Sequence, residues 1–394
     1  MILNVKFKLY VIFSSLLFIP GMFMSLFNLS SMSGGILFSG VIIICLSFNS
    51  ILRFKKNAVF VFLCILFVLL INTFLLLIFH GLVSYERYII SVFFAFFVLI
   101  VAFSISQLCF RVDEIFFNKL ICNMYFCFLV ISFFSIISLY FFGNEKKSMF
   151  LFIEPSHFAI AFSPFFIYRV IKSSNKFYHL LICLAMALLL KNLTLMIVFI
   201  FGVGVLLNSI KKVSHGIFLF ATIVIVFYYN IPSDYFDYFI ERLRFTGDLD
   251  NLSVLVFLSG YERAFLGLFD SLFIGHGFQQ MGTVATIGNY HSLLILYGSG
   301  GLNKFDGGHL FSKLVFEFGF IGIVFIFYYI KKFINVYVEI VNSNDLDSRY
   351  LFSLVCLYSF FISIFVRGTG YFSVSSLLFF ISIFYLYSQR NRLL

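Results

Sequence analysis

Charge is scarce in this chain. Asp, Glu, Lys and Arg make up 11% of its 394 residues, where soluble domains carry about 25%. That shortage, with a hydrophobic content of 62%, excludes a soluble globular protein and places the chain in lipid. Tryptophan is absent while phenylalanine supplies 63 residues, and composition alone offers no physical reason for the exchange. The seven cysteines (Cys45, Cys64, Cys109, Cys122, Cys127, Cys183 and Cys356) fall in apolar runs or at their edges. None lies in the one long polar stretch, so a disulfide framework is excluded and no zinc-site spacing occurs. There is no His-Glu-x-x-His helix, no nucleophile elbow and no internal repeat of the inverted-transporter kind.

What is present is a series of apolar runs. A hydrocarbon core roughly 30 Å thick needs about 20 apolar residues per helix. Twelve runs approach that length, at about 9–29, 35–52, 58–79, 88–107, 120–142, 158–171, 177–190, 193–210, 215–230, 313–330, 351–366 and 371–387. Lys6 and Lys8 before the first run imitate a signal peptide. Pro20 and Gly21 interrupt that run and no cleavage site follows, so it reads as a retained helix. With both termini inside, the cytoplasmic segments hold 17 of the 27 basic residues and 5 of the 17 acidic ones. The net charge of +10 is therefore an insertion signal and an attraction to anionic membrane lipid, not a nucleic-acid footprint.

The expected architecture is all-α and polytopic, with about twelve transmembrane helices and one large periplasmic loop. Residues 1–230 hold helices one to nine, 231–312 the loop, and 313–394 the last three helices. A loop of that size without a role is uncommon. Asp234 to Phe245 and Asn251 to Leu272 carry helical apolar periodicity. They are expected to be amphipathic helices lying along the membrane surface.

Four clusters could carry chemistry. Glu154-Pro155-Ser156-His157 suits a broken segment at a span entrance. It suits equally a helix start whose orphan N–H groups are capped by Glu154 and Ser156. In the loop, Arg242, Arg244 and Arg263 are candidates for phosphate, because a guanidinium binds phosphate bidentately. Each could instead be a solvated helix face. Lys191, at an external helix junction, is a further cation of this kind. Asp306-Gly307-Gly308-His309, followed by Lys313, Glu317, Gly319 and Gly322, places a histidine where the loop re-enters the membrane. A histidine there can take a proton from a hydroxyl near neutral pH, or be merely structural. Arg367-Gly368-Thr369-Gly370-Tyr371 lets a guanidinium and backbone N–H groups approach one anion together, or forms a tight turn. Asp248-Leu249-Asp250 imitates a metal-binding acid pair but reads as solvated loop, and no metal or cofactor is expected. Gly275-His276-Gly277 and Gly298-Ser299-Gly300-Gly301 lack the context of a phosphate-binding loop.

Together these features resemble the O-antigen polymerases (Wzy type) of Gram-negative bacteria, distant relatives of the O-antigen ligases. The resemblance rests on the dozen-span layout with a late periplasmic loop and on Glu154-Pro155-Ser156-His157. It rests also on Asp306-Gly307…Glu317-x-Gly319-x-x-Gly322 and on Arg367-Gly368-x-Gly370-Tyr371-Phe372. It implies an inner-membrane glycosyltransferase that moves a growing chain from undecaprenyl pyrophosphate onto the next lipid-linked repeat unit, with a chain-length regulator protein as partner. His309, Glu154 and Arg263 would be catalytic, one of the first two as general base. Arg242, Arg244, Arg263, Arg367 and Lys191 would hold the pyrophosphate. In the ligase-like pattern the loop-ending His is followed by Asn; here Leu310 follows. A ligase is the alternative within the class. A lipid-linked oligosaccharide flippase is the non-enzymatic one, though it would need short loops and charges inside the bundle.

Overall fold

Apolar stretches in lipid can satisfy their backbone N–H and C=O groups only as helices or closed barrels. The structure, a computed structural model, takes the first solution and is all-helical. It describes residues 4–390 except 28, 30, 52–55, 80, 142–148, 208–232, 246–249, 286 and 343–344. Within those residues the chain runs α1 (Val5–Leu26), α2 (Ser33–Ile51), α3 (Lys56–Phe79), α4 (Tyr85–Cys109), α5 (Glu114–Phe141), α6 (Pro155–Lys172) and α7 (Lys176–Leu189). It continues as α8 (Leu193–Gly204), α9 (Ser233–Leu243), α10 (Leu252–Asp270), α11 (Asn289–Leu296), α12 (Leu310–Asn342), α13 (Ser348–Phe365) and α14 (Val374–Arg390). The one extended pairing among the described residues is an isolated bridge between Met149 and Phe152.

Among the described residues, seven helices are long and apolar enough to cross a membrane: α1, α3, α4, α5, α10, α12 and α13. The protein is therefore membrane-embedded and polytopic. Several boundaries differ from the sequence expectation. α1 does run through Pro20 to Leu26, as the 9–29 run implied, and Gly35 of α2 packs on the Pro20 backbone. At 12 residues, α8 is about 18 Å long, short of the roughly 30 Å core. The expected ninth span, 215–230, lies outside the described residues. Conversely α10, expected to lie on the surface, meets the length and hydropathy of a span, with half of it buried inside the protein.

Contacts at the helix ends sort the molecule into two poles. At one pole Lys6 pairs with Asp113 at 3.3 Å, and Glu114 accepts from Ser348 N at 2.9 Å. There Arg349 also donates to the Val112 carbonyl at 2.7 Å and Tyr385 stacks on Phe110. The starts of α1, α5 and α13 and the ends of α4 and α14 thus lie together. Glu154, Arg367 and the turn before α12 gather at the opposite ends of the same helices. Between the poles the phenylalanines find their use: Phe128, fully buried, has the rings of Phe18, Phe158 and Phe165 at 5.4, 5.5 and 5.4 Å. Such pairs contribute about 0.5–1.5 kcal/mol each beyond area burial. Others face outward, such as Phe67 and Phe74 on α3, where lipid is as good a neighbour as protein.

The tenth expected span, 313–330, is the element that departs furthest. α12 extends to Asn342, so Lys331 and Lys332, expected in a cytoplasmic connection, lie within a helix. It is also broken at Gly319, whose φ 55 and ψ −128 are non-helical. The break is sharp: a Cβ on Gly322 would sit 2.3 Å from the Leu314 carbonyl oxygen, impossible along one straight helix. Residues 310–318 therefore fold back on the start of the long helix. The stretch around Gly275 locks this corner. His276 N donates to Phe316 O at 2.9 Å, Gly277 N to Glu317 O at 2.8 Å, and Phe320 N to Phe273 O at 2.8 Å. These bonds satisfy carbonyls that a helix end would otherwise leave orphaned.

Candidate functional site

Proline at the first position of α6 tolerates its missing N–H there, and Glu154 precedes it as N-cap with extended backbone. Its carboxylate makes no capping bond, and this departs from the capping reading of the motif. Glu154 Oε2 instead accepts from Arg367 Nη2 at 2.8 Å and from Ser156 Oγ at 2.9 Å. His157 Nε2 lies 3.9 Å from the same oxygen. Burial pushes the Glu154 carboxyl up, but Arg367, then His157 and Ser156, outweigh it and hold the group below the usual carboxylate range.

Arg367 is held by its own turn. Its N–H donates to Ile362 O at 3.0 Å, and Gly368 N donates to Gly308 O at 2.9 Å. Gly368 packs so closely on His309 and Leu310 that a Cβ would lie 2.9 Å from the Leu310 nitrogen. Gly307 and Gly308 take φ of 65 and 79, which L side chains avoid. The first, third and fourth sequence clusters thus meet at one place.

Behind them is a buried ionic knot. Lys313, 1% exposed, donates to Gln279 Oε1 at 3.0 Å and to the Phe305 carbonyl at 2.8 Å. It pairs with Asp306 at 3.5 Å and reaches 4.0 Å from Glu317. Glu317 Oε1 accepts from Met281 N at 3.1 Å. Tyr371 lies under the Lys313 ammonium, and Gly370, at φ 76, leaves no room for a Cβ beside Asp306. Asp306, Gly307, Glu317, Gly370 and Tyr371 are therefore the frame that sets the Arg367 and Gly308 turns against each other. A buried charge left unpaired would cost several kcal/mol, so each member depends on the rest.

Glu154 and Arg367 open onto a cavity of about 420 Å³. Lys191 and Arg242 line it too, so four charged residues singled out from sequence converge on one space. Its other walls are largely apolar, including Leu193, Ile197, Val254 and Phe257. Arg242 stacks over Tyr238, which also lines the cavity. Tyr238 and Asn303 carried no motif and could not have been selected from sequence. Three cations around one carboxylate give a site suited to an anion beside a group that accepts a proton.

Three expected residues lie elsewhere. His309 is completely buried and does not line the cavity. Its Nδ1 accepts from Ser312 N at 3.2 Å, capping the first turn of α12, and its ring packs on Tyr261 at 4.1 Å. Nε2 points toward the Phe257 carbonyl without closing a bond of ordinary geometry. Burial lowers its pKa to about 4. As placed, it is a cap rather than a base facing substrate. Arg263 is buried and faces a second cavity, donating to the Lys304 carbonyl at 2.9 Å. Arg244 is exposed and lines neither space, as a solvated position would be. Asp248 lies outside the described residues. No cluster of three or more His, Cys, Asp or Glu gathers for a metal among those described.

No family model matches the chain, and neither a curated protein nor a solved structure does.

Proposed function

We propose that this chain is a bacterial inner-membrane glycosyltransferase that polymerises lipid-linked oligosaccharide repeat units. It would transfer the growing chain from undecaprenyl pyrophosphate to the next lipid-linked unit. The observation that carries the reading is the cavity where Glu154 meets Arg367, Arg242 and Lys191 among apolar walls. In the reaction the bond between sugar C1 and the pyrophosphate oxygen breaks, a bond from C1 to an acceptor hydroxyl oxygen forms, and the hydroxyl proton leaves. Arg367, Arg242 and Lys191 neutralise the departing pyrophosphate, the kind of electrostatic stabilisation that is usually the largest catalytic contribution. Glu154 takes the proton as general base.

The Glu154–Arg367 pair couples the two tasks. While Arg367 holds the carboxylate, Glu154 is a poor base. A pyrophosphate that draws the guanidinium away leaves Glu154 more basic where the acceptor hydroxyl must be. The pyrophosphate linkage is already activated, so no external energy source is needed.

The same reading places twelve spans in the bacterial inner membrane, both termini in the cytoplasm and residues 231–312 in the periplasm. It draws support from the basic residues Lys6, Lys172 and Arg349 gathered at one pole, since orientation follows Lys and Arg near the span ends and their acidic partners weigh little. A chain-length regulator would be the protein partner. Lipopolysaccharide from a deletion strain tests the proposal directly. The expected product is core carrying a single repeat unit, restored to a ladder by the wild-type gene. Bare core would point to a ligase, and absence of any O-unit to a flippase.

A further inference from the structure

Arg263 is the basic side chain that the reaction cavity leaves unexplained. It is 4% exposed, pairs with no acid among the described residues, and its buried Nε has no hydrogen-bond partner. The neighbouring acid, Glu262, is spent elsewhere: its carboxylate accepts from Asn289 N at 2.6 Å and Tyr290 N at 2.9 Å, capping α11. A buried guanidinium without a counter-charge is costly unless something anionic arrives.

The space beside it is shaped for that. A second cavity of about 360 Å³ has Arg263, Lys304, His291 and Thr283 as its polar side chains, and glycines and apolar residues such as Val284, Ile287 and Ile295 make up the rest of the wall. Burial holds His291 below its ordinary pKa, and Arg263 and Lys304 lower it further against the opposing pull of Glu262. The two cavities are neighbours on one strap, since Leu302 and Asn303 line the first while Gly301 and Lys304 line the second. Along α10, Val256 borders the first and Arg263 the second. Seven residues of helix separate them, about 10 Å of rise. The Tyr261–His309 stack stands at this level of α10.

We propose that the Arg263–Lys304–His291 cavity is a second diphosphate-binding site, distinct from the one at Glu154 and Arg367. Arg263 and Lys304 bring two cations to the cavity, and His291, whose pKa lies below the ordinary value, adds an imidazole. If the glycosyltransferase reading holds, this site deepens it by seating the diphosphate of the second lipid-linked substrate. The site itself rests only on the cavity and its charge.

Calorimetry on the detergent-solubilised full chain tests this, with inorganic pyrophosphate and a short-chain polyprenyl diphosphate as probes. Wild type should bind two diphosphates per chain, Arg263→Gln one, and Arg367→Gln one. Lys304→Gln, which keeps the carbonyl that Arg263 uses, should weaken one of the two sites about tenfold. It serves if Arg263→Gln does not fold. Tighter binding of the polyprenyl probe at the Arg263 site identifies a lipid-linked source, and equal binding identifies free pyrophosphate. Diphosphate binding that Arg263→Gln and Lys304→Gln both leave unchanged, at one site or two, overturns the proposal, whereas a single site lost in Arg263→Gln would remove only the site at Glu154 and Arg367. Two sites together with an intact lipopolysaccharide ladder in the deletion strain would overturn only the polymerase reading.

Discussion

Glu154 and Arg367 stand 213 positions apart yet meet at 2.8 Å, and their pairing makes sharp claims about single residues. Removing one preorganised electrostatic donor costs about 10²–10³ in rate, so Arg367→Ala should reduce the ladder to one repeat unit at matched expression. Arg367→Lys should do nearly as badly, because a point charge cannot hold carboxylate and phosphate with a fork of donors. Glu154→Gln should match it in severity. A normal ladder in either variant removes the pair from the mechanism. The pH dependence of kcat/KM, which reports the free enzyme, tests Glu154 as the base. Glu154 is held below the ordinary carboxylate value, so it stays ionised from neutral pH down through the mildly acidic range. The kcat/KM of in-vitro polymerisation should therefore show no acid limb between pH 7.5 and 5.5, and a limb inside that window would remove Glu154 as the base. His309, its pKa lowered by burial to about 4, would give no limb in that window either, so His309→Asn tests it genetically. Asparagine is a good N-cap, so a capping role predicts folded protein with full-length polymer. Loss of polymer in a folded Asn variant would return His309 to the chemistry.

At the scale of elements, the corner in α12 decides whether the site exists at all. Gly319 combines a positive φ with a would-be Cβ 2.2 Å from the Phe273 carbonyl oxygen. Strain of this kind costs about 1–3 kcal/mol before any clash is counted. Gly319→Ala should abolish the folded species in size-exclusion profiles, while Gly301→Ala, with nothing within 4 Å of its Cβ, should elute like wild type. An unchanged profile for Gly319→Ala would mean that the corner is not built as described. The same element shows what could be read from sequence. The x-Gly-x-x-Gly pattern after Glu317 was visible, as was its neighbourhood to Asp306 and His309. That Gly319 breaks the helix was not, because helical periodicity of apolar residues continues on both sides of it. Gly275-His276-Gly277 has no phosphate-loop context in the sequence. Its use is to cap the carbonyls of Phe316 and Glu317, a long-range role that local pattern cannot carry. The convergence of Glu154, Lys191, Arg242 and Arg367 was legible only as four separate basic or acidic anomalies near one membrane face. Tertiary packing alone supplied their common cavity, and it sent Arg263 to another.

Across the whole molecule, the distribution of charge sets which pole faces the cytoplasm. Lys6, Lys172 and Arg349 mark one pole, and the cavity with Glu154 and Arg367 lies at the other. The positive-inside rule weighs short connections most heavily, and those around Arg111, Lys172 and Arg349 are short. The pole carrying them is therefore expected in the cytoplasm, with both ends of the chain. Lys331 is unsuitable for a reporter because it lies inside α12, so the informative fusion points are Asp345, between α12 and α13, and Asp250, just before α10. Phosphatase fused after Asp250 should be active and after Asp345 inactive, with green fluorescence giving the reverse. α10 makes this test demanding, since its length and hydropathy would let it cross. If it did cross, Asp250 and the turn at Gly308 would fall on opposite faces, although Val254 and Gly308 line one cavity. A third fusion after Ser299, beyond α10 and α11, resolves the matter. Activity matching the Asp250 fusion keeps both cavities on the periplasmic side. Opposite activity would show α10 to be a span, and would separate the reaction cavity from the pole where a lipid-linked donor must arrive.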